Sequence, residues 1–278
     1  MTLRGGGVKP CIIMTFFQLF ILATLQGLTE FLPVSSSGHL VLAPKLLGEH
    51  DQGLVIDVAL HVGTLLAVLL YYCRDIWQIV KNVLMGRRAP DPKMRNLGWY
   101  IAVASIPAFI MGGTIHFLMP DGIRSVAVIT ATTLFFGFLM GIADMYGKKT
   151  LKVPDSTLGR IFIIGCAQAL ALIPGTSRSG VTMTAARFMG FERVEAARLS
   201  FLIGIPAIAG AGAISLLSLL DDPTPDLLYQ SLTAIGLSFV AGLFAIHFMM
   251  FWLKRAGLLP FVFYRMFLGG FLLVYFVI

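Results

Sequence analysis

The chain has 278 residues, of which 57% are hydrophobic and 13% charged. Soluble domains carry nearer a quarter charged residues, so this chain lacks the polar groups to cover a water-exposed surface. Its net charge of +7 raises nucleic acid as a partner. The basic residues, however, fall in short breaks between apolar runs, the pattern by which membrane proteins set their orientation. Cys11, Cys73 and Cys166 are far apart and form no CxxC pair, which argues against a zinc site or a disulfide framework. Neither a zincin motif nor a P-loop signature is present.

From the start of the chain, Arg4 and Lys9 precede an apolar run from Cys11 to Leu25 and imitate a signal peptide. No clear small-residue cleavage site follows, so the run is expected to stay. A crossing needs roughly 20 apolar residues. Six are predicted, at about 54–73, 98–119, 123–146, 199–220, 229–253 and 258–278. Two further apolar segments, 12–47 and 157–190, are interrupted. The first breaks at Leu32-Pro33-Val34-Ser35-Ser36-Ser37-Gly38-His39, the second at Pro174-Gly175-Thr176-Ser177-Arg178-Ser179-Gly180. A helix broken at membrane depth must bury its loop in protein or water, which predicts two re-entrant helix–loop–helix hairpins.

The hairpins resemble each other. Sliding one by 142 positions places Gln26 on Gln168, Ser35 on Ser177, Ser37 on Ser179, Gly38 on Gly180 and Gly48 on Gly190. With one residue deleted, Val62-Gly63 falls on Ile203-Gly204. This reads as an internal duplication, with repeat 1 at about 12–119 and repeat 2 at about 157–253. Three crossings between the hairpins make the second enter from the opposite side, an inverted repeat with its site near the midplane. The expected fold is therefore an all-α polytopic membrane protein. It is a single integral membrane domain over 1–278, with six transmembrane helices and two re-entrant hairpins.

Loop charges set the sides. The 74–97 loop holds Arg74, Lys81, Arg87, Arg88, Lys93 and Arg95 against two acids; 147–160 holds Lys148, Lys149, Lys152 and Arg160; Lys254 and Arg255 close another turn. That face is expected to be cytoplasmic. The acidic breaks Glu49-His50-Asp51 and Asp221-Asp222-Pro223 fall on the other face, and Arg4 and Lys9 go against the scheme.

Ionisable groups inside a membrane cost roughly 2.5–3.5 kcal/mol each on translocon scales, so Glu30, His39 and Arg178 need a reason. A Glu, a His, an Arg and several hydroxyls in one pocket suit phosphate chemistry. The planar fork of Arg178 pairs with phosphate oxygens at any working pH. Gly175 and Gly180 allow backbone N–H groups to approach an anion, and the half-helix starting there adds positive dipole. Ser35, Ser37, Thr176, Ser177 and Ser179 supply neutral hydrogen bonds. Gln26 and Glu30 share a helix face: Glu30 suits a divalent cation with Gln26 as co-ligand, or else a structural pairing with Arg178. Ser36 and His39 lie one turn apart, a hydroxyl and an imidazole at nucleophile–base spacing. Alternatively, His39 serves a water or the leaving phosphate, and the serines cap the half-helix. His61, His116 and His247 read as core residues. Arg265 either snorkels or reaches a phosphate, and Arg187, Arg193 and Arg198 read as a cytoplasmic rim.

At Gln26–His39 and Pro174–Gly180 the sequence resembles the bacitracin-resistance family of undecaprenyl pyrophosphate phosphatases. The first stretch is similar to the family's acidic motif, the second to its PGxSRSG motif, and the likeness extends over nearly the whole chain. Gln26 stands where many members have Glu, and Ser37 where Thr is common. The resemblance implies hydrolysis of undecaprenyl pyrophosphate to the monophosphate and inorganic phosphate, recycling the lipid carrier for cell-wall synthesis and conferring bacitracin resistance. It implies a divalent cation, Mg2+ or Ca2+, at Glu30, with Ser36 as candidate nucleophile and His39 and Arg178 as catalytic. The implied setting is the bacterial inner membrane with the site open outward, with lipid as partner, room for a homodimer and no nucleic acid. A competing reading is a transporter that moves a prenyl phosphate with Arg178 as its clamp. A small-ion channel leaves the Ser-Arg-Ser cluster unexplained.

Overall fold

The structure, a computed structural model, describes residues 14–48, 52–118, 125–147, 150–221 and 224–277. The acidic breaks at 49–51 and 222–223, and Arg4, Lys9, Cys11, Lys148 and Lys149, lie outside the described residues. Among the described residues the architecture is all-α, with an isolated bridge between Leu151 and Phe191 and no strand. Among the described residues four helices are long and apolar enough to cross a membrane, Pro92–Ile115, Val126–Tyr146, Pro225–Leu253 and Leu259–Phe276, or five if the bent pair Val55–Tyr71 and Cys73–Arg88 is one span. Their outward faces carry Phe109, Ile110, Phe135, Phe138, Phe244 and Phe267, all exposed. A continuous apolar exterior of this kind needs lipid as its solvent, and the chain is a polytopic membrane protein.

The two interrupted segments form helix pairs. In the first, α1 (Phe16–Phe31) begins at a Thr15–Gln18 capping box and ends where Leu32 is extended ahead of Pro33. After the break, α2 (Ser36–Leu47) starts under a Ser35 cap and stops at Gly48, which has a left-handed backbone. In the second, α7 (Leu158–Leu170) starts at the Thr157 cap, and α8 (Arg178–Phe188) starts under a Ser177 cap. Ser35 and Ser177 have φ of 77° and 69°, the non-glycine residues with positive φ among those described. Such conformations cost of order 1–3 kcal/mol each and concentrate at functional sites. They occur here 142 residues apart, one in each of the two interrupted segments.

Three helices follow the first pair: α3 (Gly53–Tyr71), α4 (Cys73–Met85) and, after a 3-10 turn, α5 (Pro92–Leu118); then comes α6 (Val126–Tyr146). The second pair is followed by α9 (Arg193–Asp221), α10 (Pro225–Leu253) and α11 (Leu259–Leu272). The halves exchange partners. Helix α1 packs on α10 and α7 on α5, while α3 packs on both α9 and α10, and α6 on α11. The α7–α5 approach is so close that a Cβ on Gly165 would lie 2.6 Å from the Ala104 carbonyl oxygen. Phe31 and Phe201 meet edge to face at 5.3 Å and lock α1 to α9 beside the first break.

Two expectations are corrected. The 74–97 segment is largely helix, not loop: α4 leaves α3 at a 76° bend. Its Ile76, Ile79 and Val83 recur at helical spacing and pack inward against Leu97 and Gly98, while Trp77 and Leu84 face outward. The basic residues drew attention to loop composition and hid that period. Arg187 is no rim residue either; it is fully buried. It donates to the carbonyls of Phe191 and Gly147 and lies 3.5 Å from Asp144. Asp144 also holds Arg193 through two bonds of 2.6 and 2.9 Å and accepts the Leu258 N–H. Arg198 pairs with Asp75 of α4 at 2.7 Å.

Filling the α5–α7 contact tests this packing. Gly165→Val is expected to destabilise the fold by about 1–3 kcal/mol or more, seen as a lower melting temperature in detergent. An unchanged melting temperature would contradict the close approach.

Candidate active site

The two breaks form tips that meet. Ser179 at the start of α8 donates from its hydroxyl to the Leu32 carbonyl of the first tip at 3.0 Å. Each tip is internally alike. Ser35 Oγ accepts the Gly38 N–H at 3.3 Å and lies 3.5 Å from Ser37 Oγ. Ser177 Oγ accepts the Gly180 N–H at 3.1 Å and lies 3.4 Å from Ser179 Oγ. Each cap satisfies the third N–H of its half-helix. The first two, on Ser36 and Ser37 and on Arg178 and Ser179, have no partner within their helix. These four N–H groups sit at positive helix ends.

Glu30, in the last turn of α1 and only 5% exposed, is the centre of the site. Its Oε1 accepts Arg178 Nη2 at 2.7 Å. Its Oε2 accepts Ser36 Oγ at 2.6 Å and Gln26 Nε2 at 3.1 Å, and lies 3.7 Å from His61 Nε2. A carboxylate, a guanidinium and a hydroxyl from three helices thus converge in one buried place. Arg178 is braced by the Ser200 carbonyl at 3.4 Å and by Gly204, where any side chain would collide with the guanidinium. Ser200 Oγ in turn meets Thr182 Oγ1 at 2.6 Å.

His39 is placed differently from its spacing. Its Nδ1 donates to the Ser35 carbonyl at 2.7 Å, and its Nε2 meets the Tyr264 hydroxyl at 2.5 Å, with the rings stacked. Both ring nitrogens are occupied away from Ser36. The hydroxyl of Ser36 therefore points to a carboxylate and not to the imidazole. Gly175 and Thr176 are also turned inward. Gly175 has φ of 86° and presses on Thr132 and Ile129 of α6 so closely that no Cβ fits. Thr176 is fully buried, and its Oγ1 has no hydrogen-bond partner.

The carbonyls of these inward residues go to Arg265. Its guanidinium is fully buried and donates to Gly175 at 2.9 Å, Thr176 at 3.0 Å, Thr132 at 3.3 Å and Pro33 at 3.5 Å, while its Nε donates to Thr133 at 3.2 Å. Arg265 thus neither snorkels nor presents free donors to a phosphate; it ties both tips to α6.

With this geometry in view, comparison with known proteins is decisive. The family model of the bacitracin resistance protein BacA matches residues 19–271. The chain belongs to the BacA family. Relatives named undecaprenyl-diphosphatase include one from Alteromonas mediterranea, 45% identical over 94% of this chain and 98% of that protein. Another, from Teredinibacter turnerae, is 46% identical over 94% and 99%. One from Erythrobacter litoralis is 42% identical over 95% and 100%.

In this BacA-family chain Glu30 and its neighbour Gln26 are the donors available to a cation. Among the described residues no group of three or more His, Cys, Asp or Glu side chains converges. Gln26 Oε1, fully buried beside Glu30, has no hydrogen-bond partner. Gln26 turns its Nε2 to Glu30, and a flip of that amide would set one carboxylate and one amide oxygen toward a hard cation such as Mg2+, which takes its remaining ligands from phosphate and water. Sequence reasoning missed His61 and Tyr264. His61 falls four residues after Asp57, whose carbonyl takes its Nδ1 at 2.7 Å. Tyr264 could have been found only through its neighbour Arg265, itself a charge inside the last crossing.

Arg265→Met would leave five carbonyls without their charged donor. A loss of at least about 3 kcal/mol of stability is expected, measured as a fall in melting temperature or loss of the monodisperse peak in detergent. Retention of full thermal stability would refute the clamp.

Proposed function

We propose that the chain is a bacterial inner-membrane phosphatase that hydrolyses undecaprenyl pyrophosphate to undecaprenyl phosphate and inorganic phosphate. The observation that carries the reading is the Ser36–Glu30–Arg178 constellation at the meeting of two helix N-termini. The names of the relatives favour a hydrolase over the prenyl phosphate transporter. In this reading the chain crosses the membrane six times, the two helix pairs are re-entrant hairpins of an inverted repeat, and the site opens outward. Its product returns to cell-wall synthesis, and abundant enzyme confers bacitracin resistance.

The chemistry follows from the donors in place. A pyrophosphate entering the site competes with Glu30 for Arg178, whose fork suits two phosphate oxygens. The N–H groups of Ser36, Ser37, Arg178 and Ser179 stabilise charge on the equatorial oxygens of the terminal phosphorus. Ser36 Oγ attacks that phosphorus while its proton passes to Glu30, the acceptor 2.6 Å away. The bridging P–O bond breaks and undecaprenyl phosphate leaves. Water then hydrolyses the phosphoserine, which restores Ser36 and releases inorganic phosphate. Glu30 and Gln26 would hold a divalent cation, Mg2+ or Ca2+, which neutralises pyrophosphate charge when bound. His39, held by Ser35 and Tyr264, fixes the turn that presents Ser36.

Phosphate release from undecaprenyl pyrophosphate in detergent tests the reading. Ser36→Ala, Glu30→Gln and Arg178→Ala are each expected to lower kcat by about 10²-fold or more, and Arg178→Lys to restore little because it lacks the fork. Full activity in Ser36→Ala together with Arg178→Ala would reject it. Chelation is expected to abolish turnover, and Gln26→Glu to lower the cation concentration needed for half-maximal rate. Turnover indifferent to chelator would remove the cation from the scheme.

A further inference from the structure

Beside the site, an apolar cavity of about 300 Å³ lies between α3, α9 and α10. Val55, Val58, Val62 and Leu65 line it from α3, and Ala209 and Gly212 from α9. It shares no lining residue with the chemistry above, but two of the helices that line it also reach the site. On α3, Val58 and Leu65 stand three residues before and four after His61, so they flank on one helix face the imidazole that lies 3.7 Å from Glu30. On α9, Gly204 packs on the Arg178 guanidinium, and Ala209 and Gly212 follow about 7 and 12 Å further along the axis. Along α3 the lining residues Val58, Val62 and Leu65 therefore lie within about one helical turn of His61, the neighbour of Glu30.

We propose that this cavity is the binding subsite for the first isoprene units of the lipid substrate, the segment of hydrocarbon next to the pyrophosphate. This rests on the diphosphatase reading of the site. Four observations select the occupant. The lining is made of aliphatic side chains and a glycine, with Ser231 as its polar member, so it offers dispersion contacts and nothing for a headgroup. Its size suits a short stretch of chain: a cavity of ~150 Å³ accepts one six-carbon ring, so this one takes about ten carbons, or two isoprene units. The residues that make the space are small. Gly212 keeps open a gap whose first neighbour, Val62, would sit 3.5 Å from an added Cβ, and Ala209 at the rim is exposed. Ser231 Oγ is buried without a hydrogen-bond partner, an unrelieved cost that a chain of double bonds, weak acceptors, eases better than a saturated acyl chain.

Filling the space separates tail from headgroup. Gly212→Leu and Ala209→Phe, in the full-length protein in detergent, are assayed for the KM of undecaprenyl pyrophosphate and for the Ki of inorganic pyrophosphate as competitor. The KM is expected to rise about tenfold in both variants, the loss from excluding roughly two buried carbons, while kcat and the Ki stay at wild-type values. An unchanged KM in both variants overturns the subsite. A KM and Ki that rise together also overturn it, because the substitutions then disturb the headgroup site and not a place for the tail. If the wild-type chain releases no phosphate, the diphosphatase reading fails, an outcome distinct from either. Ala209→Phe changes an exposed residue and keeps the test open if Gly212→Leu does not fold.

Discussion

A helix can break among apolar neighbours only if something takes the hydrogen bonds that it gives up. Here two chain segments stop, and one side chain answers for both. The Arg265 guanidinium is buried among the carbonyls of Gly175 and Thr176 in one tip, Pro33 in the other, and Thr132 and Thr133 of α6. Ser179 closes the remaining gap by reaching the Leu32 carbonyl. The contacts of the tips with each other are therefore mostly indirect. They are held in register by a cation whose own charge is spread over peptide dipoles rather than matched by a carboxylate. That leaves Arg178 as the guanidinium that Glu30 faces, beside Ser36, Gln26 and His61.

The two tips are alike in backbone, and what differs between them makes the site. Under the 142-residue offset, the strained serine caps coincide, and so do the hydroxyls of Ser37 and Ser179. The residue after each cap differs: Ser36 in one tip and Arg178 in the other. Those two side chains are the ones that converge on Glu30. Glu30 itself falls opposite Leu172, and His39 opposite Val181. Two like turns thus differ at the first helical position, one carrying a hydroxyl and the other a permanent cation. Both helix N-termini keep their N–H groups.

Much of this was legible in the sequence. Pro, Gly and Ser in the middle of apolar runs marked both breaks, and the scarcity of intramembrane charge singled out Glu30 and Arg178. The internal offset predicted paired tips. What escaped had physical reasons. Spacing placed Ser36 and His39 a turn apart, but it carries no rotamer, and the His39 ring bonds back to the carbonyl four residues before it. His61 belongs to the site through packing of α3 against α1, which no local pattern encodes. Arg265 was ambiguous because its partners lie between 89 and 232 residues away. Helix α4 is masked in the sequence because its basic residues interrupt the apolar period of Ile76, Ile79 and Val83.

The central claim is that one chamber, built from both tips, receives the pyrophosphate. An experimental structure with a non-hydrolysable prenyl bisphosphonate measures this directly. The account predicts the terminal phosphonate within hydrogen-bond distance of both Ser36 and Arg178, with the Glu30–Arg178 contact of 2.7 Å loosened and the Arg265 clamp unchanged. A bisphosphonate bound elsewhere, with Glu30 and Arg178 still paired and Ser36 untouched, would contradict it.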